Sequence, residues 1–422
     1  MRLVARLPAP LALLLFTQFA FNVGFYLVVP FLAAYLGHTL QLAGWVVGAV
    51  LGVRTFSQQG LFVVGGALAD RFGIRASIVV GCGIRIAGFV TLGLSASLPG
   101  VVTGVVLIGL AAALFSPATE AAIVAWGGEV ERGGGPTLRE IVAAEAVCSK
   151  LGSVVGPVLG AALVVVPFRV SCLVAAALFA VILLAQVAWL PPGSRIGEPR
   201  PVAASFRLVL ANRPFLAFAA LHSTYLLSYN QLYLAAPVEL DRVGGPAAGI
   251  SWVFVAAALL VVAAQVPVTR VALRFGRVAA LRCGYALIAG GFLAVAVAAP
   301  LPPAPGAWAY GPLAVFVTLL HVGGILVLPA ARAVVADLSA GHSLGTYLGF
   351  LASAGGLAVL LGSTVAGRLL DDAASPGPLA SLAWLFLAAL PAAAALGIGP
   401  FGGRHLPAET RPAAPGESGQ VR

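Results

Sequence analysis

Stretches of about 20 apolar residues recur along the whole chain, and each is long enough to cross the hydrocarbon core of a bilayer as one helix. That repetition leaves few folds open. Backbone polar groups in lipid must be satisfied internally, by a helix or by a closed barrel, and uninterrupted runs of this length select the helix. Composition agrees: 60% of the 422 residues are hydrophobic and 9% are charged, against about 25% charged in a soluble domain. A water-soluble enzyme and a disordered chain are both excluded, because so few charges cannot cover the surface of a chain this size.

Twelve spans are predicted, over about 11–35, 42–64, 76–98, 101–123, 141–165, 170–190, 214–238, 248–269, 278–299, 311–335, 344–365 and 381–399. Arg2 and Arg6 followed by an apolar run look like a signal peptide. The run from Leu11 to Tyr35 exceeds the roughly 7–15 residues of a signal core, so it reads as an uncleaved first span. The longest polar connection, Pro191 to Arg213, splits the chain into a six-helix bundle over 1–190, a linker over 191–213 and a second bundle over 214–400. The Pro/Gly-rich tail over 401–422 reads as disordered.

Of the 24 basic residues, 23 are arginine, and Lys150 is the lone lysine. With the N-terminus inside, eighteen arginines fall on inner segments and three (Arg169, Arg242, Arg368) on outer loops. Positive charge stays on the cytoplasmic side, so both termini are expected there, in a multi-pass protein of the inner (plasma) membrane. The net charge of +10 is spread between spans rather than gathered into a patch, which argues against nucleic acid as a partner. Cys82, Cys148, Cys172 and Cys283 stand singly in apolar segments and read as buried thiols. They form no zinc or disulfide pattern.

The halves echo each other. Arg71-Phe72-Gly73 follows span two and Arg274-Phe275-Gly276 follows span eight, an offset of 203 that also carries the start of span one to the start of span seven. A duplicated, pseudo-symmetric arrangement of two six-helix bundles follows.

Between spans two and three lies Gly66-Ala-Leu-Ala-Asp70-Arg71-Phe-Gly73-Ile-Arg75. Gly66 allows close helix approach, Gly73 a tight reversal, and Asp70 needs a cation or a helix N-terminus. Arg71 and Arg75 supply hydrogen-bond forks. Here the sequence resembles the major facilitator superfamily, whose loop signature G-x-x-x-D-R-x-G-R-[KR] is matched except at Ile74. The stretch from Gly52 through Arg54, Gln58, Gln59 and Gly60 to Gly73 is similar to the branch of bacterial multidrug exporters. Span five reads Gly152-Ser-Val-Val-Gly156-Pro157-Val-Leu-Gly160-Ala161. It is similar to the family's antiporter signature, with Ala161 in place of the last glycine; simple tight packing is the other reading. In the second half Leu273 replaces the loop aspartate, and the family's fourth-span arginine is missing from Gly109 to Pro117.

Polar groups inside spans are functional candidates because they are costly there. Arg54 is about 18 Å into span two and either lines a cavity or pairs structurally. Arg85 in span three reads as a structural pair. Glu120 could pair with Arg71 or Arg75 and close the inner side, or reach the headgroups by snorkelling. Glu145 is the best protonatable carboxylate, and Lys150 faces another way around the same helix. His222 and His321 suit proton exchange or simple hydrogen-bonded packing. Gln18, Asn22 and Tyr26 form one polar stripe on span one. Tyr225, Tyr229, Asn230 and Tyr233 on span seven suit bulky amphipathic ligands.

The resemblance implies a transporter of alternating access: a drug:proton antiporter exporting hydrophobic or cationic drug-like molecules, with Glu145, His222 and His321 as proton carriers. Asp70, Arg71, Arg75 and Glu120, with Gly66 and Gly73, would latch its outward-open state. Gln18, Asn22, Tyr26, Arg54, Lys150, Tyr225, Tyr229 and Asn230 would meet substrate. The alternative is a facilitator or exporter of a native metabolite without tight proton coupling. A monomer in lipid is expected, driven by the proton gradient with no metal or other cofactor. No Ser-His-Asp set and no P-loop occurs, so neither hydrolysis nor ATP-driven transport is expected.

Overall fold

The computed structural model describes residues 7–191, 202–272, 274, 276–339 and 344–406. Arg2, Arg6, linker residues 192–201, Leu273 and the tail from 407 lie outside them. Among the described residues the chain is all-helical, without a β-strand.

The first half holds α1 (Ala9–Ala34), α2 (Gly44–Gln59), α3 (Phe62–Phe72), α4 (Ile74–Leu94), α5 (Leu98–Arg132), α6 (Leu138–Ala162) and α7 (Phe168–Trp189). A short helix, α8 (Val202–Ala211), occupies part of the linker. The second half holds α9 (Arg213–Arg242), α10 (Gly249–Ala272), α11 (Arg277–Ala298), α12 (Gly311–Leu338), α13 (Leu344–Leu370) and α14 (Ser381–His405). Starts are written locally. Thr137 and Glu140 form a reciprocal capping box on α6, and Asn212 Oδ1 accepts the Phe215 N–H of α9 at 3.0 Å.

Ten helices among the described residues are long and apolar enough to span a membrane. The predicted second and seventh spans fall short for different reasons. The second is broken at Gly60 into pieces of 16 and 11 residues. The Gly60 carbonyl freed by the break accepts from Ser353 Oγ of α13 at 3.0 Å, which meets the demand that no backbone group go unsatisfied at membrane depth. The seventh, α9, runs 30 residues but carries His222, Thr224, Tyr225, Tyr229, Asn230, Gln231 and Glu239. Most of these polar groups are covered by protein rather than lipid. Two ends also move outward: α5 continues to Arg132, beyond the expected 123, and α14 to His405, past the expected start of the tail.

In the first half α1 packs on α6 and α7, α4 on α5 and α7, and α2 on α5; in the second, α11 packs on α12 and α14, and α9 on α13 and α14. The halves meet where α2 touches α13, α6 touches α10 and α1 touches α9. Lipid tails are as apolar as leucine, so helices in a membrane associate through close approach. Gly44 and Gly48 leave no room for a side chain against the Gly367 and Ser363 carbonyls of α13, and a Cβ on Gly52 would lie 2.7 Å from Leu360 Cα. Gly73 (φ 88°) and Gly276 (φ 75°), 203 positions apart, both adopt the left-handed backbone that favours glycine and both start a helix, α4 and α11.

Candidate functional site

A cavity of about 620 Å³ lies between the halves, lined from α1, α6, α9, α10 and α12. Its aromatic wall is set by spacing. Phe218, His222, Tyr225, Tyr229 and Tyr233 recur at three- or four-residue intervals on α9 and so share a face. Their successive ring centroids are 5.6, 5.8, 6.4 and 6.3 Å apart. Tyr225 and Tyr229 line the cavity. Tyr26 of α1 and Phe254 of α10 close its dry end, 5.6 Å between centroids, with Tyr233 stacked on Phe254 at 5.0 Å. The other end is wet: Lys150, Gln265 and Arg332 line it and are exposed.

The dry end is shut by more than aromatic rings. Beyond it, the α2–α13 glycine seam is joined by Asp371 Oδ1, which accepts the Gly44 N–H at 2.9 Å and so places a carboxylate at the N-terminus of α2. His38 Nε2 sits 3.1 Å from Asp241.

The polar candidates separate into groups. On α1, Asn22 Nδ2 donates to the Gln18 carbonyl (2.9 Å) and to Ser149 Oγ (3.1 Å), and the Gln18 amide faces the Glu145 carboxyl. Glu120 is exposed and interacts electrostatically with Glu145 and Arg332. His321 lines the cavity. Its Nδ1 lies 2.8 Å from the Val317 carbonyl, which can only accept, so Nδ1 carries a hydrogen, and Nε2 has no hydrogen-bond partner among the described residues. His222 is outside the lining: its Nδ1 meets Tyr285 Oη at 2.8 Å, against α11. Asn230 Oδ1 accepts from Thr55 Oγ1 at 2.9 Å and ties α9 to α2. Arg54 is buried, donates to Gln58 Oε1 at 2.7 Å and lies 4.6 Å above the Phe25 ring.

Gly152, Gly156, Pro157 and Gly160 are all buried, the three glycines directly against α1. Cβ atoms on Gly152 and Gly156 would lie 2.8 and 2.7 Å from those of Asn22 and Tyr26, and Gly160 has no space beside Phe31. The segment from Gly66 to Phe72, read from sequence as a loop, is helical in α3, and Gly73 alone makes the reversal. Gly66 has open space where a Cβ would sit; its neighbour Gly65 is the one pressed on the Ala113 carbonyl of α5. The Asp70 side chain is outside the described parts of the chain. Arg71 is exposed over Phe72, and Arg75 donates to the Val187 carbonyl at 2.6 Å. Neither makes an ion pair with Glu120 among the described residues.

Three readings change. Arg85, 1% exposed, has no carboxylate partner among the described residues; its guanidinium lies 3.8, 4.9 and 5.7 Å from the rings of Phe21, Phe179 and Phe89. A cation–π cage replaces the expected pair. Cys283 is exposed and Cys148 half-buried, unlike the buried Cys82 and Cys172. Phe254, Gln265 and Arg332 join the lining without having been singled out. Gln265, a lone amide in an apolar span, and Arg332, one turn after Pro329, were the available signals.

The profile of the Major Facilitator Superfamily matches residues 11–241. An uncharacterized MFS-type transporter of Mycobacterium tuberculosis is 36% identical over 370 residues, 86% of this chain and 86% of that protein. The multidrug resistance protein MdtH of Aeromonas hydrophila is 30% identical over 367 residues, 86% of this chain and 88% of that one. Among solved structures, an auto-inhibited peptide transporter of the POT family superposes with a TM-score of 0.78 at 16% identity, over 96% of this chain and 99% of that one. The nucleoside transporter NupG does so at 0.72 and 13%, over 95% and 99%. These two likenesses speak to fold alone. With matches on this scale, and a helical chain built around an internal cavity, the protein belongs to the major facilitator superfamily and is a membrane transporter rather than an enzyme.

Proposed function

We propose that this chain is a proton-coupled exporter of hydrophobic, drug-like molecules that works by alternating access. Twelve spans, counting α2–α3 as one and α9 as another, form two six-helix bundles with both termini in the cytoplasm, in the inner membrane. The protein acts as a monomer, without a cofactor. One observation carries the reading: the cavity between the halves is wet at one end and sealed at the other by Tyr26, Phe254 and the α2–α13 seam. By the arginine distribution the wet end faces the cytoplasm, which is where an exporter collects its load. Rocking of the halves would carry the load across. The name of the MdtH relatives, a multidrug resistance protein, supports drug-like cargo.

Glu145, Glu120 and His321 stand where rocking would change their access to water, and His222, held by Tyr285, is the weaker carrier. The cationic half of the expected cargo finds no acid in the cavity lining. In everted vesicles, an imposed proton gradient is expected to drive dye or drug accumulation, and Glu145→Gln to abolish the response. Accumulation indifferent to the gradient would sink the coupling. The missing fourth-span arginine favours the second reading, an uncoupled metabolite facilitator or exporter; undiminished concentrative export by Glu145→Gln would support it or shift coupling to another group.

A further inference from the structure

We infer that the cavity binds amphipathic organic anions, molecules joining an aromatic body to a carboxylate or similar acid, in preference to lipophilic cations. The inference rests on the transport reading above and narrows its cargo.

The charge of the lining carries it. Seventeen residues line the cavity; Lys150 and Arg332 are bases, His321 is a third nitrogen centre, and no Asp or Glu is present. Lys150, the chain's single lysine, lies about 18 Å along α6 from its start, at membrane depth. It has no carboxylate within ion-pair distance among the described residues. A charge held at that depth is expensive, and a structural role would give it a counter-charge. Lys150 has none among the described residues and is exposed to the cavity, so its natural partner is a charge that arrives with the ligand.

The neighbouring charges point the same way. Arg54, buried beyond the dry end, interacts electrostatically with Tyr26 and Tyr233 and adds positive potential there. The two acids of the region stay outside the lining: Glu145 faces Gln18, and Glu120 lies near Glu145 and Arg332. Arg332 therefore has a partial counter-charge and Lys150 does not. Tyr26, Tyr225, Tyr229 and Phe254 offer ring faces for an apolar body, and the volume of about 620 Å³ suits a drug-sized molecule. A lipophilic cation would use the same rings but meet two like charges, and such repulsion is how a site rejects the wrong partner.

The test is equilibrium binding to the purified full chain in detergent, with three probes of one shape: 2-naphthoate, 2-naphthamide and 2-naphthylmethylammonium. The acid is expected to bind about tenfold more tightly than the amide, and the ammonium most weakly. Lys150→Gln should erase the advantage of the acid over the amide, and Lys150→Arg should retain it. Arg332→Gln should act in the same direction but less. The inference is overturned if the ammonium binds as tightly as the acid, if the advantage survives in Lys150→Gln, or if the acid shows no saturable binding. No gradient enters this measurement. Acid preference without gradient-driven export would refute the coupling alone, and gradient-driven export without acid preference would refute this inference alone.

Discussion

The glycines of α2 and those of α6 repeat at the same four-residue interval, yet they face different partners. Gly44, Gly48 and Gly52 press α2 against α13, a helix of the other half, backbone to backbone. Gly152, Gly156 and Gly160 press α6 against α1, a helix of its own half. The consequences differ accordingly. Where the glycines face across the divide, the seam has no volume to give and the halves meet. Where they face inward, the side of α6 that looks across the divide carries Lys150 and Ser153; α6 still touches α10, and the space bounded by α6, α10 and α12 stays open as the cavity. A small-residue stripe thus brings two backbones together, and whether that builds a half or joins two halves depends on which helix it meets.

Labelling in a cysteine-free background separates the two helix faces most directly. Lys150→Cys, exposed in the cavity wall on the same helix, should react with a membrane-impermeant maleimide applied to the wet side. Ser363→Cys, 1% exposed in the α2–α13 seam, should stay unreacted. Equal labelling of both would mean the seams do not differ. Gly48→Ala should come next, because any Cβ there collides with the Ser363 carbonyl. Overpacking of this kind costs about 1–3 kcal/mol, readable as a lower Tm in detergent and as lost transport. An unchanged Tm would show that the two backbones are further apart than described.

Asp371→Asn tests the polar side of the same seam. Removing the carboxylate from the α2 N-terminus should cost about 0.3–1 kcal/mol, less at high salt; a loss indifferent to salt would point to packing instead. Smallest of all is Gly66→Ala. That position has open space, and alanine is the better helix former by roughly 0.5–1 kcal/mol, so stability should hold or rise slightly. A fall in Tm matching that of Gly48→Ala would contradict the placement of Gly65, rather than Gly66, against α5.

Features that sum locally are written in the chain itself. Hydropathy accumulates over neighbouring residues, so the greater part of the helical spans could be read directly. The reversal at Gly73 was legible too, because a charged turn with a glycine has few alternatives, and the repeat offset pointed to its counterpart Gly276. The face formed by Tyr225 and Tyr229 followed from helical periodicity, which is a property of one segment. Other features depended on what a segment meets. Arg85 looks the same in sequence whether it faces a carboxylate or three phenylalanines. Gly65 and Gly66 differ only in which way they point. The break at Gly60 is tolerable because Ser353 of α13 arrives to satisfy its carbonyl, and α9, read as the seventh span, can carry its polar groups because other helices bury His222, Asn230, Gln231 and Glu239. Helix formation and membrane depth are governed by short-range terms carried in the chain itself. The partner of each glycine stripe, and hence the position of the cavity, is set by contacts between residues far apart in sequence, and only the packed structure decides those.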